Sequence, residues 1–239
     1  MERTDYLWPD GYGFIFDDAL FPPSTDTFLL GYFARTRRGE RVCDLCAGTG
    51  LLGLLLLGRQ PELTVTGIEL QEAACRLARR TAALNGLSDR LIPLLGDLRQ
   101  ADTLPRAAFD LVVCNPPYFS PVSGAVSPDP VRSAARSEVS CTIADVCAAA
   151  DRLLRYGGRF ALVYRPDRMA ELFALLQTHH LEPKRLRFVH YNTSAAPSLL
   201  LLECRKGGRP GMRAEPALFL KDDLDRDTAE ANLVYFRDR

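Results

Sequence analysis

Arg41-Val42-Cys43-Asp44-Leu45, then Cys46-Ala47-Gly48-Thr49-Gly50, then Leu51-Leu52-Gly53-Leu54-Leu55-Leu56-Leu57, is the stretch whose reading decides the fold. It reads as a buried strand, a glycine-rich turn and a buried helix. The glycines stand where a backbone must approach a ligand closely. Gly48, Gly50 and Gly53 fill three glycine positions, and Cys46 occupies the place of a fourth. No Gly-Lys-Ser/Thr follows, which excludes a P-loop. Asp44 ends the strand with a carboxylate just before the loop. A carboxylate there repels a pyrophosphate and suits the ammonium of an amino-acid-like ligand.

Three further apolar runs end the same way. Leu63-Thr64-Val65-Thr66-Gly67-Ile68 closes on Glu69, about twenty residues after the loop, the spacing at which an acid grips ribose hydroxyls. Leu91-Ile92-Pro93-Leu94-Leu95 closes on Gly96-Asp97, and Phe109-Asp110-Leu111-Val112-Val113-Cys114 closes on Asn115-Pro116-Pro117-Tyr118. In open α/β sheets, ligands bind at the carboxyl edge of the strands. A single acid after a strand is usually a solvated cap. Asp44, Glu69, Asp97 and Asn115 together point to a site.

The tetrapeptide carries the chemistry. Two prolines end a strand abruptly, because neither has an N–H to give and each fixes its own φ. A carboxamide, a bare carbonyl and an aromatic ring are thereby held at the mouth of the sheet. Asn115 and the Pro116 carbonyl can accept the two N–H bonds of a planar amine while Tyr118 stacks on its face. The amine lone pair is then aimed at an electrophile, which is catalysis by positioning. Read alone, the motif is equally a strand followed by a Pro-Pro turn.

Over residues 40–205 these segments resemble the class I S-adenosylmethionine-dependent methyltransferases, and Asn115-Pro116-Pro117-Tyr118 matches the motif of amino-group methyltransferases. Gly11-Tyr12-Gly13-Phe14-Ile15-Phe16-Asp17-Asp18-Ala19-Leu20-Phe21, Ser24-Thr25-Asp26-Thr27-Phe28-Leu29-Leu30, and Phe119 after the tetrapeptide resemble the bacterial valine-tRNA (adenine-37) N6-methyltransferase family. The resemblance implies an α/β, Rossmann-like fold with a seven-stranded, mostly parallel sheet in the order 3-2-1-4-5-7-6 and one antiparallel edge hairpin strand. It implies S-adenosylmethionine as cofactor. Asp44, Cys46, Gly48 and Gly50 would border its methionine part, Glu69 with Leu70 its ribose, Asp97 with Leu98 its adenine, Asn115 would also contact it, and Thr25 and Asp26 would help close the pocket. Thr25-Asp26 reads equally as a plain helix start after Ser24. Asn115, Pro116, Pro117 and Tyr118 would be catalytic, and Tyr118, Phe119, Arg132 and Arg136 would meet an RNA substrate, tRNA in the family's case. The chain departs from the family at Cys46, at Pro22-Pro23, and at Asp223–Thr228, where the usual Gly-Tyr-Thr is absent.

Three other functions share parts of this pattern: a protein glutamine N5-methyltransferase, a guanine N2 methyltransferase of ribosomal RNA, and a catalytically silent cofactor-binding module. The first differs in its N-terminal part, the second fits Tyr118-Phe119 less well, and the third has no need of an intact tetrapeptide.

Composition bounds the rest. The 239 residues suit one domain with a large core. They divide into an N-terminal segment over residues 1–39 that packs over the cofactor site, a catalytic domain over 40–205, and a C-terminal extension over 206–239. The longest apolar run, Leu51–Leu57, is too short for a bilayer, and Met1-Glu2-Arg3-Thr4-Asp5 is no signal peptide. Seven cysteines, an odd number placed mostly within apolar runs, fit a reducing, cytoplasmic setting. Cys43-x-x-Cys46 lacks a second ligand pair, so no metal is expected. The net charge of zero runs against a wide RNA-binding face. Arg132 and Arg136 stand out because they follow the tetrapeptide within a long polar stretch.

Overall fold

The computed structural model describes residues 1–18, 22–100, 104–117 and 141–238. The first element is an antiparallel hairpin of β1 (Glu2–Tyr6) and β2 (Gly13–Asp17). Helix α1 (Thr25–Phe33) leads into β3 (Arg41–Leu45), α2 (Leu51–Arg59), β4 (Thr64–Glu69), α3 (Glu72–Leu84), β5 (Leu91–Leu95) and β6 (Phe109–Cys114). Then follow α4 (Ile143–Leu153), β7 (Leu154–Tyr164), α5 (Met169–Thr178), β8 (Leu181–His190), β9 (Pro197–Lys206), two short strands β10 (Arg213–Ala214) and β11 (Leu218–Phe219), and α6 (Ala229–Val234).

The main sheet runs β5-β4-β3-β6-β7-β9-β8, the expected order, with β10 and β11 both parallel to β8 at the outer edge. Strands β3 to β7 pair in parallel. The connection from β8 to β9 is too short for a crossover, so β9 runs antiparallel to both neighbours and lies one place in from the edge. Two short strands thus extend the expected seven and cover an edge that would otherwise expose unpaired backbone groups.

Both faces of the sheet are covered, so its strands are apolar on both sides. Val42, Leu111, Val113, Ala161 and Val163 pack toward α1 and α2, while Cys43, Val112, Cys114, Phe160 and Leu162 pack toward α4 and its neighbours. Gly53 lets α2 settle on the sheet: a Cβ there would lie 2.7 Å from Leu91 Cδ1 and 3.0 Å from Val65 Cγ1.

Three local outcomes have clear causes. Thr142 and Asp145 close a capping box at the start of α4, as their spacing predicts. Helix α4 stops at Leu153, four residues before the Gly157-Gly158 pair. Strand β7 begins at Leu154, and Gly157 adopts φ +76° inside a register shift opposite Phe109–Leu111. Glycine permits that bulge at little steric cost. The β1–β2 hairpin has no counterpart in the sequence reading, because Gly-Phe-Ile-Phe lacks the alternation of a half-buried strand. It is pinned to α3 instead: Ile15 N–H donates to Thr81 Oγ1 at 3.0 Å, and Gly13 exchanges two hydrogen bonds with the Asn85 carboxamide.

Candidate active site

The loop after β3 is built from left-handed residues: Cys46 at φ +60°, Gly48 at +55° and Gly50 at +80°. The first of these explains why a glycine is usual where Cys46 stands. A side chain in that region costs about 1–2 kcal/mol. Gly50 caps α2 in the same conformation. A Cβ at Gly48 would meet nothing within 4 Å, so open space lies on its outer side. The Ala47 N–H donates to the Ile68 carbonyl at 3.0 Å, tying the loop to β4.

Asp44, only 2% exposed, sits under that loop. Its Oδ2 is fully buried with no hydrogen-bond partner. Burial first, and then the neighbouring Glu69 charge, push its carboxyl well above the usual range, while the Gly53 N–H opposes them. Glu69 is also buried and raised by burial, but it is better held. Its Oε2 accepts from Gly48 N–H and its Oε1 from Gln71 N–H, both at 2.8 Å. Two adjoining buried acids and an orphaned carboxylate oxygen make a floor that wants a cation. An ammonium group would suit such a floor, and Glu69 keeps lone pairs for hydroxyl donors.

A cavity of about 190 Å³ opens beside Asp44, with neither Glu69 nor Gly50 in its wall. Its wall includes Ser24, Thr27, Asp44, Cys46, Gly48 and Asn115. Asn115 ends β6, and its Nδ2 donates to Thr27 Oγ1 at 3.0 Å and to Ser24 Oγ at 3.4 Å. Pro116 is buried and Pro117 half-buried. The loop from β3 and the turn from β6 therefore share one cavity, as expected for neighbouring parallel strands.

Other expected site residues have different surroundings. Thr25 and Asp26 are not part of the cavity wall; Ser24 and Thr27, three residues apart on one helical face, are. Thr25 is exposed and accepts from the Tyr235 hydroxyl at 3.4 Å. The i, i+3 spacing of Ser24 and Thr27 is the sequence signal for this pair. Asp97 is gripped by Arg99 through two charged hydrogen bonds to Oδ2, at 2.6 and 3.0 Å, which holds its carboxyl below the usual range. Leu98 is buried in the core on the α4 side, and Leu70 is 39% exposed. Tyr118, Phe119, Arg132 and Arg136 lie outside the described residues.

The cysteines form no metal cluster, and among the described residues no group of three or more His, Cys, Asp and Glu could hold an ion. Cys43 is buried inside β3, while the contact of Cys46 with Cys114, together with burial, pushes its thiol up and the contact with Cys141 opposes them. No described helix is long and apolar enough to cross a membrane.

The methyltransferase small domain profile matches residues 24–184. A tRNA1(Val) (adenine(37)-N6)-methyltransferase of Porphyromonas gingivalis is 34% identical over 188 residues, covering 76% of this chain and 73% of its own. The Aeromonas hydrophila protein of the same name is 37% identical over 148 residues, covering 62% and 60%. The solved structure of a predicted O-methyltransferase from Agrobacterium tumefaciens matches with a TM-score of 0.73 at 22% identity, over 89% of this chain and 96% of that one, a likeness of fold. The sheet is that of the class I methyltransferases. The chain belongs to the methyltransferase small-domain family and, within it, to the family of the tRNA1(Val) (adenine(37)-N6)-methyltransferases.

Proposed function

We propose that this chain transfers a methyl group from S-adenosylmethionine to the exocyclic N6 of an adenine in tRNA, at the position 37 for which its relatives are named. The observation that carries the reading is the shared cavity: the turn suited to an amine and the floor suited to an ammonium line one opening. Asp44 would hold the ammonium, Gly48 and Gly50 the close backbone approach, Glu69 with Leu70 the ribose, and Asp97 with Leu98 the surroundings of the cofactor adenine. Arg99 must then yield part of its hold on Asp97. Residues 1–39 would form the cover over this site, and tRNA as substrate implies the cytoplasm.

When bound, the cofactor supplies an electrophilic methyl group on a sulfonium. The chain's own residues orient the acceptor. The Asn115 carboxamide and the Pro116 carbonyl take the two amine hydrogens, so the nitrogen lone pair leaves conjugation and points along the line of attack. The target base must leave its stack to reach this turn, and Tyr118 with Phe119 would replace the lost stacking. Arg132 and Arg136 would neutralise backbone phosphates.

Incubation with radiolabelled S-adenosylmethionine, separation of RNA from protein and digestion of the labelled fraction test the reading. Labelled N6-methyladenosine from tRNA is expected. Label in methylglutamine or in N2-methylguanosine would replace it with a rival.

A further inference from the structure

The Asn115 carboxamide has two orientations of nearly equal shape, related by exchange of oxygen and nitrogen. Only one offers an acceptor to an incoming amine. The other would set N–H against N–H. Something must choose between them, and α1 supplies the means. Thr27 Oγ1 and Ser24 Oγ lie 3.0 Å apart and share one hydrogen between them. Both stand on the Nδ2 side of Asn115, at 3.0 and 3.4 Å. If Thr27 spends its hydrogen on Ser24, its oxygen presents lone pairs to Asn115, and these can be met only by the amide N–H.

The hydroxyl pair is itself firmly held. Ser24 caps α1, accepting from the Thr27 N–H. Leu29 and Leu30 of α1 are fully buried. The helix is further clamped by the C-terminal segment, through the Tyr32 hydroxyl on Glu230, a paired Arg187–Glu230 bridge at 2.6 and 2.7 Å, and the packing of Tyr235 on Phe28.

We propose that Thr27, with Ser24, is a positioning residue that fixes the Asn115 carboxamide with Oδ1 toward the acceptor amine. This rests on the proposed function, because only an N–H-bearing substrate makes the amide orientation matter. The test pairs Thr27→Val, which keeps shape and loses the hydroxyl, with Thr27→Ser, which keeps the hydroxyl. Thr27→Val should lower the single-turnover rate of tRNA methylation roughly tenfold, the worth of one hydrogen bond, with cofactor affinity unchanged. Thr27→Ser should restore most of the rate. In an Asn115→Ala background, Thr27→Val should cost nothing more. A wild-type rate for Thr27→Val, a parallel loss of cofactor affinity, or a full further loss on Asn115→Ala would each overturn the proposal. A second readout needs no activity: the side-chain amide resonances of Asn115 in isotope-labelled protein should move in Thr27→Val and return in Thr27→Ser. Unmoved resonances would overturn the positioning role whatever the substrate. Failure of the wild-type protein to methylate tRNA adenosine would instead count against the proposed function alone.

Discussion

The two walls of the cavity are made in opposite ways. The floor is local: Asp44 and Gly48 fall within five consecutive residues, and Glu69, outside the cavity wall, braces the loop from the adjacent parallel strand by accepting backbone N–H groups. The acceptor side is remote. Asn115 is held by hydroxyls 88 and 91 residues earlier in the chain, on a helix that the C-terminal segment keeps in place. A wall made by one turn of backbone depends on the left-handed conformations of that turn. A wall made by side chains from distant elements can be dismantled one hydroxyl at a time.

The largest expected effect tests the remote wall. Asn115→Ala removes an acceptor needed most as the amine nitrogen becomes tetrahedral. It should cost about 2.7–4 kcal/mol in the transition state, a hundred- to thousandfold in single-turnover rate, with cofactor affinity unchanged. A loss of affinity equal to the loss of rate would erase the distinction between the walls.

The local wall is tested through Asp44. Asp44→Asn should weaken cofactor binding by about 1.5–3 kcal/mol, the range for a charged hydrogen bond. The raised carboxyl pKa fixes the sign of two pH effects. In the free protein the protonated form is favoured, and an ammonium selects the ionised form. Binding below the raised pKa therefore releases a proton, and wild-type affinity should climb with pH until that pKa is passed. Calorimetry on Asp44→Asn should show no such climb. A raised folded-state pKa also means that the carboxyl's stability contribution is full below the ordinary range and is lost as pH rises through the raised value. Without cofactor, Asp44→Asn should thus melt higher than wild type above that pKa.

Glu69→Ala sharpens the same point. It removes the acceptor of the Gly48 and Gln71 N–H groups, so it should cost about 1–3 kcal/mol of stability along with cofactor affinity. Chemical denaturation and calorimetry read the two losses separately. The smallest effect belongs to Cys46→Gly. Relief of a left-handed side chain, about 1–2 kcal/mol, is offset by about 0.4–1 kcal/mol of chain entropy. A small gain in melting temperature is expected.

What the sequence disclosed follows the same division. The strand–loop–helix at residues 41–57 and the polar strand ends were legible, because contiguous apolar runs and glycine positions dictate backbone shape directly. The order of the main sheet followed only from the family resemblance. Asp44, Glu69 and Asp97 looked alike as acids ending parallel strands. Periodicity says where a carboxylate stands but not what it meets, and only the folded chain separates Glu69 on backbone amides from Asp97 under Arg99. Ser24 and Thr27 were hidden for a related reason: their partner is distant in sequence, and their own spacing serves a helix cap equally well. The strands β10 and β11 are two residues each, too short to carry any pattern.

The central claim is that this cavity presents an adenine amine to the methyl donor. Two unmodified tRNA1(Val) transcripts, one with adenosine at position 37 and one with guanosine there, test it most directly when each is incubated with the protein and S-adenosylmethionine and mapped by mass spectrometry. One methyl group on adenosine 37 of the first and none on the second is the predicted result. Methylation of both transcripts, or of neither, would contradict it.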